Sequence, residues 1–227
     1  IGNVARYEDY VSVFGVDALR YFVMREMPLG QDGNFSDEGV LTRFNSDLAN
    51  DLGNLVSRTT TMIQRYCDGV VPEPAAAREA LDAELAAAVQ STIDGVIRNF
   101  EAFQITLALQ DTWDLIRSVN QYIVKREPWT LAKHADKRAT LDVTLYHAAD
   151  ALRVISALID PVMPDAAGRI RRMLGVQVQR WSGLKANTLS PATRLGAVES
   201  LFPRIEKTIE ELRTMSTEQS SPGPVAT

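Results

Sequence analysis

The sequence contains few of the residues on which metal sites and disulfide frameworks depend. It has one cysteine, Cys67, and two histidines, His134 and His147. A single cysteine cannot form an internal disulfide, and the histidines have no neighbouring cysteine at metal-ligand spacing. The sequence therefore predicts neither a disulfide framework nor a metal bound by this chain.

Long apolar runs are absent as well. No stretch of about 18 uninterrupted apolar residues occurs, and the first residues lack the basic and then apolar order of a secretory signal. Hydrophobic residues still make up 45% of the 227 positions, which is enough for a core of ordinary size. We expect a globular, cytoplasmic protein with no membrane partner.

Positive charge is in short supply overall but is unevenly distributed. The chain has 24 Lys and Arg against 29 Asp and Glu, and this balance argues against a non-specific grip on nucleic acid. Acids dominate residues 73–101, whereas six cations lie within residues 117–138. These clusters indicate either solvated helix faces or a local cationic surface. The six cations are Arg117, Lys125, Arg126, Lys133, Lys137 and Arg138.

Recognisable catalytic motifs are also lacking. There is no glycine-rich phosphate loop and no Ser-His-Asp order, and neither histidine has a nucleophile nearby in the sequence. The chain by itself is therefore predicted to be a binding module.

What the sequence does contain is helical periodicity. Helices are predicted over residues 37–68, in two segments joined near Asn45 and Ser46, and over 75–103, 106–126, 139–159 and 165–174. No strand alternation occurs before residue 176, so the predicted fold is an all-α bundle of about five helices. In the segment after it, Trp181 is expected to pack a loop onto the bundle.

Composition divides the chain into four regions. Residues 1–36 form a small linking unit with two short amphipathic helices, and residues 37–175 form the bundle. Residues 176–213 form a C-terminal segment with a final short helix over 202–213, and the Ser-, Thr- and Pro-rich residues 214–227 are predicted to be disordered.

A polar stripe follows the first predicted bundle helix. At 100° per residue, its members lie opposite the leucines at 48, 52 and 55. Asn54 and Arg58, one turn apart, could converge on one hydrogen-bonding edge of a ligand such as a nucleobase. Alternatively the stripe is only solvated, and Asp51 only orients Arg58. The stripe comprises Asp47, Asn50, Asp51, Asn54 and Arg58.

A tryptophan lies at a predicted helix junction among cations. Trp129 follows Pro128, with Lys125, Arg126 and Lys133 close by in the sequence. Such a ring can fill the core, or it can stack on an unpaired base. The local pattern leaves both interpretations open.

Three separated segments, taken in order, resemble the methionyl-tRNA synthetase family of class I aminoacyl-tRNA synthetases. They are "GVDALRYFVMREMPLGQDGNFS" at 15–36, "NDLGNLVSR" at 50–58 and "PWTLAK" at 128–133. The opening "IGNV" resembles the segment that follows the family's KMSKS loop. This resemblance implies that residues 1–36 link a catalytic domain, through a stem-contact segment, to an anticodon-binding bundle.

The resemblance also implies roles for particular residues. Trp129 would stack on the first base of the anticodon CAU, a cytosine, while Asn54 and Arg58 would hydrogen-bond to its edge. Lys125, Arg126 and Lys133 are the candidate phosphate contacts.

The whole family joins methionine to its tRNA through methionyl-adenylate made from ATP. ATP and Mg²⁺, and in some members zinc, would belong to an N-terminal catalytic domain that this sequence does not include. The chain is thus expected to bind no cofactor, to be inactive alone, to be monomeric, and to have tRNA(Met) and that catalytic domain as partners.

Two alternatives remain open at this point. The chain could come from a cysteine-, isoleucine-, valine- or leucine-specific synthetase, although "GNLVSR" together with "PW" is not expected there. It could instead be a structural bundle that docks to a protein through the acidic region at 73–101. Nucleic-acid recognition requires the basic region and the Asn54 and Arg58 row to face the same side.

Overall fold

The computed structural model describes residues 7–30, 35–74, 79–206 and 211, and within these ranges the fold is all-α. Apart from one isolated bridge between Val70 and Arg194, these ranges contain no β-structure. The helices are α1 (Tyr7–Phe14), α2 (Val16–Glu26), α3 (Asp37–Arg43), a π-helical segment (Phe44–Gly53), α4 (Asn54–Tyr66), α5 (Ala80–Glu101), α6 (Ile105–Arg126), α7 (Pro128–Leu131), α8 (Arg138–Ile159) and α9 (Pro164–Leu174), with short 3-10 turns at Ala135–Lys137 and Trp181–Gly183.

Helix α8 is the centre of the bundle. It is buried almost continuously from Leu141 to Ile159, and α4, α5, α6 and α9 pack around it. A helix that is buried on nearly all sides has to be enclosed by others, and its few polar side chains need partners there. The prediction of an all-α bundle of about five helices is confirmed. None of the helices in the described ranges has the length and apolar character needed to cross a lipid bilayer.

The first bundle helix is continuous where the sequence predicted a joint. Its start is as expected, because the Ser36 hydroxyl accepts a hydrogen bond from the Gly39 amide at 3.1 Å. The predicted joint near Asn45 and Ser46 is not a break, because the helix changes from α to π at Phe44 and continues. The Asn45 side chain bonds sideways to the backbone of Ile205 at 2.9 and 3.0 Å, and Ser46 donates to Asp47, so these polar residues do not end the helix.

The C-terminal segment packs back onto the bundle through buried polar contacts. The Asp150 carboxylate accepts hydrogen bonds from the backbone amides of residues 187–189 and pairs with Arg153. The Trp181 indole donates to the Ala157 carbonyl at 2.8 Å, and its ring meets Phe100 edge-on. The expected packing of the Trp181 loop is confirmed.

The structure near the end of the chain differs from the sequence prediction. Residues 201–206 are not helical, so the final helix predicted over 202–213 does not begin where it was expected. The backbone amide and carbonyl of Ile205 bond to the Asn45 side chain, so they are not used in a helical turn. Residues 207–210 and 212–227, including the predicted tail, lie outside the described residues. The domain boundaries at 36, 175 and 213 stay predictions.

Candidate nucleic-acid interface

An open cavity of about 390 Å³ lies between the start of α4 and the end of α6. Helix α4 contributes Asn54 and Arg58, and α6 contributes Lys125. Asn54 and Arg58 lie one turn apart on a regular α-helix, so the predicted i, i+4 pair does reach one surface. Asn50, Asp51, Asn120, Gln121 and Val124 complete the lining.

Trp129 is held beside this cavity by a sharp change of chain direction. Glu127 ends α6 with a left-handed backbone at φ 46°, and Pro128 begins α7. The Trp129 ring is 38% exposed, and the guanidinium carbon of Arg58 lies 5.7 Å from its centroid. That spacing is typical of a cation–π contact. The structure therefore brings Asn54, Arg58 and Trp129 together.

Asp47 does not belong to the polar stripe, contrary to the sequence prediction. It is only 7% exposed, and its carboxylate accepts from the Tyr21 hydroxyl at 2.7 Å and pairs with Arg43 at 3.1 Å. The reason is local geometry. Phe44–Gly53 is π-helical, with i to i+5 hydrogen bonds, so a step of 100° per residue does not apply to it.

The interpretation that Asp51 orients Arg58 is also wrong. Asp51 faces Arg117 of α6 at 3.7 Å, and its backbone carbonyl accepts a hydrogen bond from Asn120 at 3.1 Å. Burial raises the pKa of Asp51, and the nearby Asp47 carboxylate raises it further, against the opposing effect of Arg117. In the described part of the chain no carboxylate forms an ion pair with Arg58. Its donors stay open to the cavity.

The three predicted phosphate contacts have different surroundings. Lys125 lines the cavity, and Lys133 is exposed just after α7. Arg126 is buried and pairs with Glu79 at 2.6 Å and with Asp82. A buried, doubly paired guanidinium cannot reach a phosphate, so the structure contradicts the prediction for Arg126.

The α6 side of the cavity, apart from Lys125, was not predicted from the sequence. Asn120, Gln121 and Val124 line it together with Lys125. Asn120 and Val124, like Gln121 and Lys125, are four positions apart, and this spacing, which places side chains on one helix surface, is the signal that could have identified them. The basic region faces the Asn54 and Arg58 row in part: Lys125 does so, whereas Arg138 lies on another cavity farther along α4.

Over the described ranges, no group of three or more His, Cys, Asp or Glu side chains is arranged to hold a metal ion. Cys67 is buried, and burial raises the pKa of its thiol to about 11. A thiol with so high a pKa is a poor nucleophile and a poor metal ligand at neutral pH.

Comparison with known proteins agrees with the resemblance seen in the sequence. The family described as "Anticodon binding domain of methionyl tRNA ligase" matches residues 71–217. The chain belongs to this family. The family described as "tRNA synthetases class I (M)" matches residues 1–60. The second of these matches ends within α4 and includes Arg58, whereas the first begins after α4 has ended.

Curated relatives cover nearly all of the chain. The methionine–tRNA ligase of Caldanaerobacter subterraneus subsp. tengcongensis is 42% identical over 96% of this chain and 35% of its own length. That of Deinococcus radiodurans is 40% identical over 100% of this chain and 33% of its own length. The chain thus spans about a third of the length of these relatives.

Solved structures show the same fold. Methionyl-tRNA synthetase of Mycobacterium tuberculosis in complex with methionyl-adenylate matches with a TM-score of 0.85 and 38% identity, over 90% of this chain and 40% of that one. The free form of the same enzyme matches with a TM-score of 0.84 and 36% identity, over 90% of this chain and 42% of that one.

Proposed function

We propose that the chain recognises the CAU anticodon of tRNA(Met), with its cavity between α4 and α6 binding the first base, a cytosine. The observation that carries this proposal is the meeting of Arg58 and Trp129 at 5.7 Å beside a cavity that Asn54 also lines. Membership of the anticodon-binding family supports it.

The chemistry of the three side chains suits a cytosine. Its hydrogen-bonding edge carries an amino donor next to acceptors, and Asn54 offers an amide oxygen for that donor. Arg58 offers guanidinium donors for the acceptors, while the partly exposed Trp129 ring offers a stacking surface. A base stacked on an aromatic side chain gains about 1–3 kcal/mol.

Lysines supply the contacts that position the RNA backbone. Lys125 lies in the cavity lining, and Lys133 is exposed at the far end of the short helix that carries Trp129. Backbone contacts of this kind fix register and orientation, whereas the contacts of Asn54 and Arg58 to the base give specificity.

The activity of the longer family members is part of the same proposal. We infer that this chain acts within a methionine–tRNA ligase, a monomeric cytoplasmic enzyme. That enzyme forms methionyl-adenylate from methionine and ATP and transfers methionine to tRNA. ATP and Mg²⁺, and zinc where a member has it, would be held by the portion of the relatives that this chain does not match.

Docking of a protein partner to the acidic region is less well supported. One of its acids, Asp82, is buried against Arg126 and is therefore not available to a partner, and the exposed Glu79 is already paired with the same arginine.

The proposal is tested by fluorescence titration of the chain with an anticodon stem-loop that carries CAU, and with the same loop after replacement of its cytosine. Trp113 is fully buried and Trp181 is bonded to α8, so of the three tryptophans only Trp129 can report directly on the cavity. We expect quenching that is stronger for the cytosine loop and that disappears in Trp129→Phe.

Trp129→Ala, measured by competition with a labelled stem-loop, should weaken binding by about 1–3 kcal/mol and leave the unfolding temperature nearly unchanged. Equal quenching by both loops would contradict recognition of the first base. Unfolding of Trp129→Ala would show that the ring belongs to the core.

A further inference from the structure

A second cavity, of about 470 Å³, lies between the end of α4 and the chain that joins α7 to α8. Arg65 and Tyr66 line it from α4, Leu131 and His134 from the connection, and Arg138 from the start of α8. Among the described residues, its lining contains two guanidinium groups and no carboxylate. A surface with this composition favours an anionic ligand.

The two arginines in this cavity differ in how they are bonded. Arg138 pairs with Asp142 at 2.9 Å and donates to the Tyr66 carbonyl at 2.9 Å, so it ties α8 to the end of α4. Arg65 is exposed, with its guanidinium carbon 5.6 Å from the Tyr66 ring centroid. Across the described ranges no carboxylate forms an ion pair with Arg65. Arg65 is therefore the donor available to a ligand.

The second cavity lies farther along α4 than the first. Arg58 and Arg65 are seven residues apart on α4, which corresponds to nearly two full turns and about 10.5 Å along one face. The connection after α6 flanks both positions, because its Trp129 meets Arg58 and its Leu131 lines the second cavity. The contact of an arginine with an aromatic ring thus occurs twice along one face of α4.

We propose that the second cavity binds a phosphate of the same RNA strand, with Arg65 as the phosphate ligand, a short distance along the strand from the base stacked on Trp129. This inference rests on the proposed function. A guanidinium fork matches the geometry of phosphate oxygens, and the Tyr66 ring beneath it limits the rotamers that Arg65 can adopt.

The proposal also explains how an acidic chain can hold RNA. The formal net charge is −5, so binding depends on a few cations whose charge is not cancelled by neighbouring acids. Arg126 and Arg138 are paired with carboxylates, whereas Arg58 and Lys125 line the first cavity and Arg65 lines the second with no described carboxylate paired to them.

The test compares wild type with Arg65→Gln and with the matched control Arg180→Gln, by measuring Kd for the CAU stem-loop over a range of salt concentrations. Arg180 was chosen because it lies far from the second cavity. It precedes Trp181, which bonds to Ala157, and Ala157 lies 19 residues, or about 28 Å, along α8 from Arg138. The two substitutions remove the same charge, so any difference in RNA binding between the two variants reflects the position of the arginine.

For Arg65→Gln we expect binding about three- to tenfold weaker at low salt, a slope of log Kd against log salt smaller by about 0.7, and an unchanged preference for cytosine. Arg180→Gln should match wild type. Circular dichroism melting curves of all three proteins confirm that the fold is retained.

A second measurement locates the phosphate. Loop linkages of the RNA are replaced one at a time by uncharged methylphosphonate, and each RNA is titrated against wild type and Arg65→Gln. At one linkage the two changes should not add, because each removes one partner of the same contact.

Additive effects at every loop linkage would overturn the proposal, as would an Arg65→Gln protein that behaves like Arg180→Gln. Loss of cytosine preference with an unchanged salt slope would overturn it too, because Arg65 would then act on the base. Failure of the proposed function gives a different result, in which wild type and both variants alike show no selective binding.

Discussion

Two arginines illustrate how differently the structure treats residues that look alike in the sequence. Arg58 lies 5.7 Å from the Trp129 ring centroid, and Arg126 lies 5.6 Å from that of Tyr122. Arg58 lines an open cavity and has no ion pair with any described carboxylate, whereas the Arg126 side chain is 5% exposed and pairs with Glu79 and Asp82. The first is placed to bind a ligand and the second to hold helices together.

The difference arises from what packs against each arginine. The start of α5 faces the end of α6, and it brings Asp82, which is 1% exposed, against Arg126. Glu79 and Asp82 also form a capping box at the start of α5, so both carboxylates are already held in place. No described acid approaches Arg58 in this way. Whether a cation is available to RNA therefore depends on its partners, not on the local density of charge.

The largest effect on the free energy of unfolding is expected from replacing one of these arginines by alanine, and the size of the effect should depend on which arginine is replaced. Arg126→Ala leaves the buried Asp82 carboxylate without its cationic partner, and it should lower the free energy of unfolding by about 3–5 kcal/mol. Arg58→Ala, as the matched control, should cost less than about 1 kcal/mol, because its side chain is partly solvated and unpaired. Urea unfolding followed by circular dichroism measures both.

Similar losses at the two positions would contradict the comparison between them. So would a fully stable Arg126→Ala that binds the stem-loop less tightly, because that result would restore Arg126 as a phosphate contact.

A smaller effect on the free energy of unfolding, with a defined pH dependence, is expected when Asp82 is replaced. Burial acts to raise the pKa of this carboxyl, but hydrogen bonds from Tyr122, Arg126 and the Glu79 amide outweigh it and lower the pKa. The charged form then stabilises the fold above the unfolded-state pKa of about 3.9, and this contribution is lost as the pH falls through the folded-state pKa.

Asp82→Asn should therefore lower the free energy of unfolding by about 2 kcal/mol at pH 7, and the difference from wild type should shrink below about pH 4. Urea unfolding at a series of pH values measures this difference. Asp114→Asn, at an exposed carboxylate paired with Arg117, is the control and should show little change at any pH. A wild-type advantage that stays constant from pH 7 to pH 3 would show that the charge of Asp82 is not its source.

The fold and the central pair of site residues could be predicted because they depend on local rules. Pro128 sets the junction that presents Trp129, and its position in the sequence is sufficient to place a helix boundary there. Asn54 and Arg58 lie on a regular α-helix, where i, i+4 spacing holds. Periodicity and helix termination are properties of a few adjacent residues.

The parts that could not be predicted depend on contacts between distant segments. Arg126 meets Asp82 from 44 positions away, and no local pattern indicates that pairing. Asp47 turns inward because Phe44–Gly53 is π-helical, and a sequence period of 3.6 residues does not predict such a segment. Residues that bind ligands and residues that stabilise the core can therefore share one charge pattern.

The substitution with the smallest expected effect on the free energy of unfolding is also the most specific test of the proposed function. Arg58→Gln should leave the free energy of unfolding within about 0.5 kcal/mol of wild type, because Arg58 has no described ion pair to lose. It should reduce the preference for the cytosine loop by about 1–2 kcal/mol, because glutamine cannot offer the two parallel donors of a guanidinium. Kd values for the cytosine loop and the replaced loop, measured with both proteins, give the change in preference. An equal loss for both loops would make Arg58 a backbone contact like that proposed for Arg65, and the cavity between α4 and α6 would then hold the RNA without distinguishing its first anticodon base.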